Sequence, residues 1–404
     1  MVAYHQFVEL SQSRDSEERG QAAHLAALAY LAHTGPADEQ AALYAALIGF
    51  LDDPSVKVRA ALAYGLLHTT AAPRPILLAL LQDSAVIARA VVQYSPALID
   101  ADLIAFVRSA DPSMLMAVAM RERLSARLTE TLVERCDRDI ILKLVGRPDA
   151  PLSGDTLLRL ADELGRTDAR LRGALLARRD LPAAARLLLV EAVAGLLRGA
   201  RLIKGAVQPK RLDKLLRDTT DTALTAIGEV AAATAPRAGF AARLIEAERL
   251  STRVMLHALI NGHVMFFAEC VAELSEMPRD KVFTLLETGS RAALNALLAR
   301  CGLKEAVRNL VARLVFHARA ADLADDIAAR HFVVTVLTEE LIIEHAGVIP
   351  PDLEEAFNYL CEQNVSLARS AARGVMTAFA IDADGARDMP LLETEERRLA
   401  LSAG

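Results

Sequence analysis

The 404-residue chain has no tryptophan, and aromatic residues make up only 4% of it. Proteins that hold single-stranded nucleic acid rely on such rings as stacking platforms, so the scarcity counts against that mode. Cysteine is also scarce. Cys136, Cys270, Cys301 and Cys361 lie far apart without any C-x-x-C, which leaves no support for a cysteine zinc site or a thioredoxin-like motif. Reduced thiols in a cytoplasmic protein are expected. A surplus of positive charge is missing too: 46 Lys and Arg against 52 Asp and Glu give a net charge of −6, which argues against a general nucleic-acid binder. Apolar runs are short. Ala41–Leu51 falls well below the roughly 20 residues of a membrane span. Met1–Gly20 carries Asp15, Glu17 and Glu18 rather than a basic start and an apolar stretch, so no secretory signal is expected there. Catalytic signatures are lacking as well. Gly289-Ser290-Arg291 lacks the glycines of a nucleophile elbow, and no phosphate-binding loop or His-Glu-x-x-His occurs. His257 and His263 are six apart with Gly262 between them, a poor metal spacing on a helix. Glu340 and Glu344 share a helix face with His345 beside them. A solvated acidic helix end is the favoured reading there, and a carboxylate–histidine metal site the alternative. The sequence assigns no catalytic, metal or cofactor residue.

What the chain has is apolar mass, 53% of its residues, most of it Ala, Leu and Val. That composition suits closely packed helices. Nearly every periodic segment repeats at 3.6 residues rather than 2. Ser16 reads as an N-cap ahead of Glu17 and Glu18, with a stop at Thr34-Gly35-Pro36. A second apolar helix is predicted over Ala37–Leu51, and Asp52-Asp53-Pro54-Ser55 is a turn into a third. The β-branched cluster Phe332–Val336 sits within a longer helical pattern and is read as buried helix.

The predicted helices repeat. Leu51-Asp-Asp-Pro-Ser-Val-Lys-Val-Arg59 returns as Leu81-Gln-Asp-Ser-Ala-Val-Ile-Ala-Arg89, aligning Asp53 with Asp83 and Arg59 with Arg89 at an offset of 30 residues. Weaker echoes begin at Asp111, Asp137 and Thr167 and end at Pro182. The Leu-x-Asp…Arg pattern resembles HEAT repeats, and the later units, with Leu171-Arg172 and Arg179-Asp-Leu-Pro182, resemble the leucine-rich-repeat variant. In such arrays the Asp and Arg side chains cap helices and bridge neighbours, which is the role the resemblance implies for Asp53, Arg59, Asp83 and Arg89. Further along, the Leu256-His-Ala-Leu, Gly262, Phe266-Phe267 and Ala272-Glu-Leu sequences resemble an alphaproteobacterial family of unknown function with a degenerate HEAT-like N-terminal part. That resemblance implies architecture and no activity.

Charge is uneven. Residues 166–217 hold thirteen basic residues against four acids, a net +9, while residues 319–364 hold ten acids against Arg319 and Arg330, a net −8. The sharpest basic stretch contains Arg198, Arg201, Lys204, Lys210, Arg211, Lys214 and Arg217. Arg211, Lys214 and Arg217 fall at i, i+3 and i+6 and are taken to share one side. The block is a candidate interaction surface for an acidic protein, with phosphate, nucleotide or nucleic acid as the alternative, and docking onto the chain's own acidic segment as a third outcome.

The expected fold is all-α: a right-handed superhelical α-solenoid of HEAT-like helix pairs followed by a more irregular helical domain. The expected regions are an N-terminal capping helix over 1–36, repeats over 37–217, a C-terminal helical domain over 218–381 and a polar, frayed tail over 382–404. The function expected of it is that of a non-enzymatic interaction scaffold in the cytoplasm, without cofactor or membrane span, with an acidic protein partner.

Overall fold

The computed structural model describes residues 8–385 except 136, 235–238 and 322, and for 374–385 the backbone alone. All regular structure among the described residues is helical, with no strand. The chain forms two compact units, Met1–Leu189 and Val190–Gly404.

In the first unit the helices are α1 (Ser16–Ala32), α2 (Ala37–Leu51), α3 (Val56–Leu66), α4 (Arg74–Leu80), α5 (Ala85–Tyr94), α6 (Asp100–Ser109), α7 (Pro112–Ala119), α8 (Ala126–Glu134), α9 (Arg138–Val145), α10 (Gly154–Leu160) and α11 (Ala169–Ala177). Their starts follow from local chemistry. Asp15, rather than the expected Ser16, caps α1 by accepting from the Glu17 N–H at 3.0 Å. Its carboxylate also suits the positive end of the helix. Asp111, Ser125, Asp137, Ser153 and Asp168 cap α7 to α11 in the same way. Alternate helices stack: α1 on α3, α3 on α5, α5 on α7, α7 on α9 and α9 on α11. Their shared core is small and aliphatic, with Ala22, Ala23 and Ala27 of α1 and Val58 and Leu62 of α3 all fully buried.

α12 (Ala183–Gly199) contains the division between the units, and α13 (Arg201–Ala206) and α14 (Pro209–Thr234) follow. The region boundary expected at 217 therefore falls inside one continuous helix. The rest of the second unit is α15 (Phe240–Glu246), α16 (Thr252–Ile260), α17 (Val264–Ser275), α18 (Arg279–Thr288), α19 (Arg291–Arg300), α20 (Glu305–Ala320), α21 (Ile327–Glu344) and α22 (Pro351–Gly385). α22 runs past the expected start of a frayed tail at 382; residues 386–404 of that expected tail lie outside the described residues.

Helix α16 is central. Val254 to Ile260 are all buried, the signature of a helix surrounded by others; α14, α17, α20 and α22 pack on it. Two glycines permit this arrangement. Gly228 on α14 lets the Phe266 ring of α17 approach so closely that a Cβ there would lie 2.4 Å from the ring. Gly262 ends α16 with φ +73°, in the left-handed region that glycine adopts without strain, and a Cβ would meet the Ala324 backbone at 2.5 Å. The first turn of α17 is satisfied from a distance. Its N-cap His263 makes no side-chain cap bond, and Glu229 of α14 instead accepts from the Phe266 N–H at 2.8 Å.

Candidate interaction surface

Between the start of α14 and the middle of α22 lies a groove of about 950 Å³. Arg211, Lys214, Leu215 and Asp218 line it from α14; Glu362, Val365, Ser366, Arg369, Ala372 and Arg373 line it from α22. Both sets recur at three- and four-residue steps, the spacing that keeps residues on one face of a helix.

The inner end of the groove is acidic and tied down. Arg253 on α16 donates to Asp221 at 2.8 Å, Asp218 at 2.6 Å and Glu362 at 3.1 Å. Lys214 adds a second cation to Glu362 at 3.2 Å. Burial pushes the Asp218 carboxyl above its ordinary range. Burial pushes Glu362 the same way, but the bonds from Arg253 and Lys214 outweigh it and hold that carboxyl low.

Beneath this cluster, Arg253 lies over the Tyr359 ring at 4.7 Å, and Tyr359 is 1% exposed. His257, one turn along α16, joins α14 to α22. Thr222 donates its hydroxyl proton to the Asp218 carbonyl at 2.8 Å, which leaves its oxygen to accept from His257 Nε2 at 3.2 Å. His257 Nδ1 is then the acceptor for the Tyr359 hydroxyl at 2.6 Å. A neutral imidazole satisfies both bonds. Burial, with cationic neighbours, pushes its pKa down to about 4.

The outer end of the groove is cationic and open. Arg211 and Arg369 are exposed, and among the described residues neither guanidinium has a hydrogen-bond or ion-pair partner. Arg373 stands one turn beyond Arg369 and donates to its carbonyl at 3.3 Å. Leu215 and Val365, 49% and 51% exposed, form an apolar strip between the charged ends.

Residues 87–343 match a family described as uncharacterised protein conserved in bacteria (DUF2336). The chain belongs to this family. The DUF2336 stretch contains Arg211, Lys214, Arg253 and His257, while Tyr359, Glu362 and Arg369 lie beyond it. No curated protein and no solved structure matches the chain.

Of the seven basic residues singled out in this DUF2336 protein's sequence, the structure brings Arg211 and Lys214 together in the groove. Arg217 does not line it. A step of six residues at about 100° each leaves a side chain some 120° off the starting face, and a step of seven returns to it, so Asp218 takes the place expected of Arg217. Arg198 pairs with Asp213 at 3.0 Å. Arg201, Lys204, Lys210 and Arg217 are exposed outside the groove. Among the described residues the basic block meets the acidic 319–364 segment through Lys214 and Glu362. Arg369 and Arg373 were missed; their four-residue spacing opposite Arg211 was the available signal. Glu340 and Glu344, weighed as metal ligands with His345, both engage Arg313.

The repeat residues are placed unevenly. Asp53 accepts from Arg19 at 2.8 and 3.2 Å, and Asp83 accepts from Arg59 at 2.6 and 2.9 Å. The arginine bonds hold both carboxyls below their usual range. Arg74 with Asp102 and Arg138 with Asp168 repeat the bridge. Arg89 does not take part: it is exposed and has no partner among the described residues. The Asp of the following turn, Asp111, instead accepts from the Met114 N–H at 3.0 Å as the cap of α7. Cys270 is a buried free thiol, Cys301 and Cys361 are half-buried free thiols, and Cys136 lies outside the described residues. Among the described residues no helix is long and apolar enough to cross a membrane.

Proposed function

We propose that the chain is a non-enzymatic, cytoplasmic interaction scaffold that captures an acidic surface of a protein partner at the groove between α14 and α22. The observation that carries this reading is the pair of exposed guanidiniums, Arg211 and Arg369, which line one groove without a partner among the described residues, beside a strip of exposed Leu215 and Val365. What sets these two apart from arginines scattered singly over the surface is that they line one groove, where a single occupant's carboxylates can engage both. The apolar strip and the carboxylates of Asp218 and Glu362 favour a mixed protein surface over a run of phosphates, which would meet repulsion at the inner end. In this reading the first unit is a HEAT-like α-solenoid, of the kind the repeats of the alphaproteobacterial family resemble. Free thiols at Cys270, Cys301 and Cys361 fit a reducing compartment.

Replacing Lys210, Arg211 and Lys214 with Glu tests the assignment. Partner capture from cell extract falls with the triple variant and with rising salt and survives nuclease treatment, while the melting temperature drops modestly because Lys214 leaves the half-buried Glu362. Capture that disappears on nuclease treatment would transfer the site to nucleic acid, and unchanged capture would remove the groove from the function.

A further inference from the structure

The two walls of the groove have the geometry of two sides of a three-helix packing whose third member is not among the described residues. On α14 the lining positions are 211, 214, 215 and 218; on α22 they are 362, 365, 366, 369, 372 and 373. These are the i, i+3, i+4, i+7 stripes that helices present to other helices. The stripes run in opposite senses. Lys214 and Asp218 stand at the Glu362 end, while Arg211 stands toward Arg369 and Arg373. The walls therefore offer ridges along a line rather than a point site. From 362 to 373 the α22 wall spans about 16 Å at about 1.5 Å per residue, three turns of an opposing helix.

Resting on the acidic-partner reading above, we propose that the occupant is an amphipathic helix of a partner protein. Its apolar stripe lies on Leu215, Val365 and Ala372, and carboxylates one turn apart flank that stripe and pair with Arg211 and Arg369. Three features select a helix over an extended acidic segment. An extended strand sends successive side chains to opposite faces every 3.3 Å or so, which does not match walls that repeat about every 5.4 Å. The exposed apolar positions sit between the cations of the two walls, where a helix places its hydrophobic stripe between two polar flanks. The acids at the inner end, Asp218 and Glu362, are already engaged by Arg253 and Lys214, so the groove is electrostatically polarised along its length. The occupant's carboxylates then belong at one end and not throughout, which sets its direction.

The test uses the full-length protein and three labelled probes read by fluorescence anisotropy. The first is a designed peptide of about 20 residues with leucines at three- and four-residue steps and glutamates on one half. The second has the same composition with two central prolines, which break the helix. The third is polyglutamate of equal net charge. The helical peptide binds at least about tenfold more tightly than the other two. Arg211→Glu with Arg369→Glu weakens all acidic probes, and Val365→Ser weakens only the helical peptide. All three side chains are exposed, so the variants keep the parent melting curve, which is checked by circular dichroism. Equal binding of the proline peptide and polyglutamate would overturn the helical occupant and leave the acidic-surface reading standing. Failure of every acidic probe would overturn both. A chain that sediments as a dimer and becomes monomeric in Arg211→Glu/Arg369→Glu would place a second copy in the groove and overturn the assignment to a foreign helix.

Discussion

The two units share one use of arginine, and the second adds another. In Met1–Leu189 several arginines fasten one helix turn to the next. Arg19, Arg59, Arg74 and Arg138 reach carboxylates 24 to 34 residues away. Arg121, Arg147 and Arg178 reach backbone carbonyls of the turn before, such as Val92 and Ser95, Ala119 and Arg121, and Val145 and Ala150. Those carbonyls sit at helix ends, where intrahelical partners run out. In Val190–Gly404 Arg319 repeats this clamp on the Leu285, Leu286 and Gly289 carbonyls, but Arg253 works differently: it gathers carboxylates from α14 and α22 that are 32, 35 and 109 residues distant. The first arrangement distributes polar satisfaction along the chain and makes each link replaceable. The second concentrates it, so that α14, α16 and α22 share one point of failure.

The largest effect expected from this contrast comes at that point. Arg253→Met leaves Asp218, Asp221 and Glu362 close together without their common cation. Removing one partner of a buried ion network costs roughly 3–5 kcal/mol; because the Arg253 side chain keeps 19% of its exposure, about 3 kcal/mol is expected. The urea midpoint of the second unit's transition measures it. A further Glu362→Gln change should return part of the loss, since it relieves the repulsion, and a purely additive double variant would show that the cluster is not a network.

A pH titration probes the same point without mutation. The folded His257 imidazole titrates at about 4, against an ordinary 6.5. Between those values the unfolded chain binds a proton that the folded chain refuses. Stability is therefore whole above pH 6.5, falls as pH drops toward 4, and takes no further loss from this group below that. At about 1.4 kcal/mol per unit the full loss is on the order of 3 kcal/mol. His257→Gln should flatten the slope of stability against pH in that window, whatever it does to stability at pH 7. An unchanged slope would show that the imidazole is not held neutral by the Thr222 and Tyr359 bonds.

The distributed arrangement should fail locally. Arg178 is 3% exposed in its side chain, donates to Val145, Arg147 and Ala150, and pairs with Asp180. Arg178→Met strands three carbonyls, worth about 2 kcal/mol. Amide exchange should quicken around residues 145–150 and 175–180 while the α1–α3 packing stays protected. Exchange that rises evenly throughout the unit would mean that its links do not act one by one.

Legibility in the sequence follows the same division. The Arg59–Asp83 link was readable because both ends belong to a motif that recurs within one repeat length. Arg19 was not, since its partner Asp53 opens the first recognisable repeat and Arg19 precedes it. The later clamps were half visible: Arg179-Asp-Leu-Pro182 drew notice, but the side chain that holds the turn is Arg178, one position earlier. Helix class was legible throughout, including the β-branched Phe332–Val336 stretch, because 3.6-residue periodicity outweighs local propensity there. Arg253 with Glu362, and His257 with Tyr359, could not be read, because nothing local in a sequence pairs residues more than 100 positions apart. His257 drew only the reading that its spacing from His263 is poor for a metal, because a histidine in an apolar helix carries no mark of which hydroxyl it meets. The groove was half legible for the same reason: α14 announced its cations, and α22 supplied the opposite wall chiefly from residues 365–373, just past the segment read as acidic.

The smallest expected effect separates motif from contact within the first unit. Arg59 and Arg89 occupy the same repeat position, 30 residues apart. Arg59 is 18% exposed in its side chain and binds Asp83 through two nitrogens as well as the Asp53 carbonyl at 2.7 Å. Arg89 is exposed and has no partner among the described residues. Arg59→Ala should cost about 1–2 kcal/mol, since a bidentate, partly shielded pair and a carbonyl bond are lost together. Arg89→Ala should lie within about 0.5 kcal/mol of the parent, as surface substitutions do. The aspartate makes the difference: Asp83 makes no cap bond to α5, which has no side-chain cap at all, and its carboxylate engages Arg59 of α3, whereas Asp111 spends its carboxylate on the Met114 N–H. Asp111→Asn retains an acceptor for that cap and should leave Arg89→Ala silent. If Arg89→Ala instead matched Arg59→Ala in thermal melting, the bridge would continue to Asp111 in solution, and the repeat would be more regular than its contacts indicate.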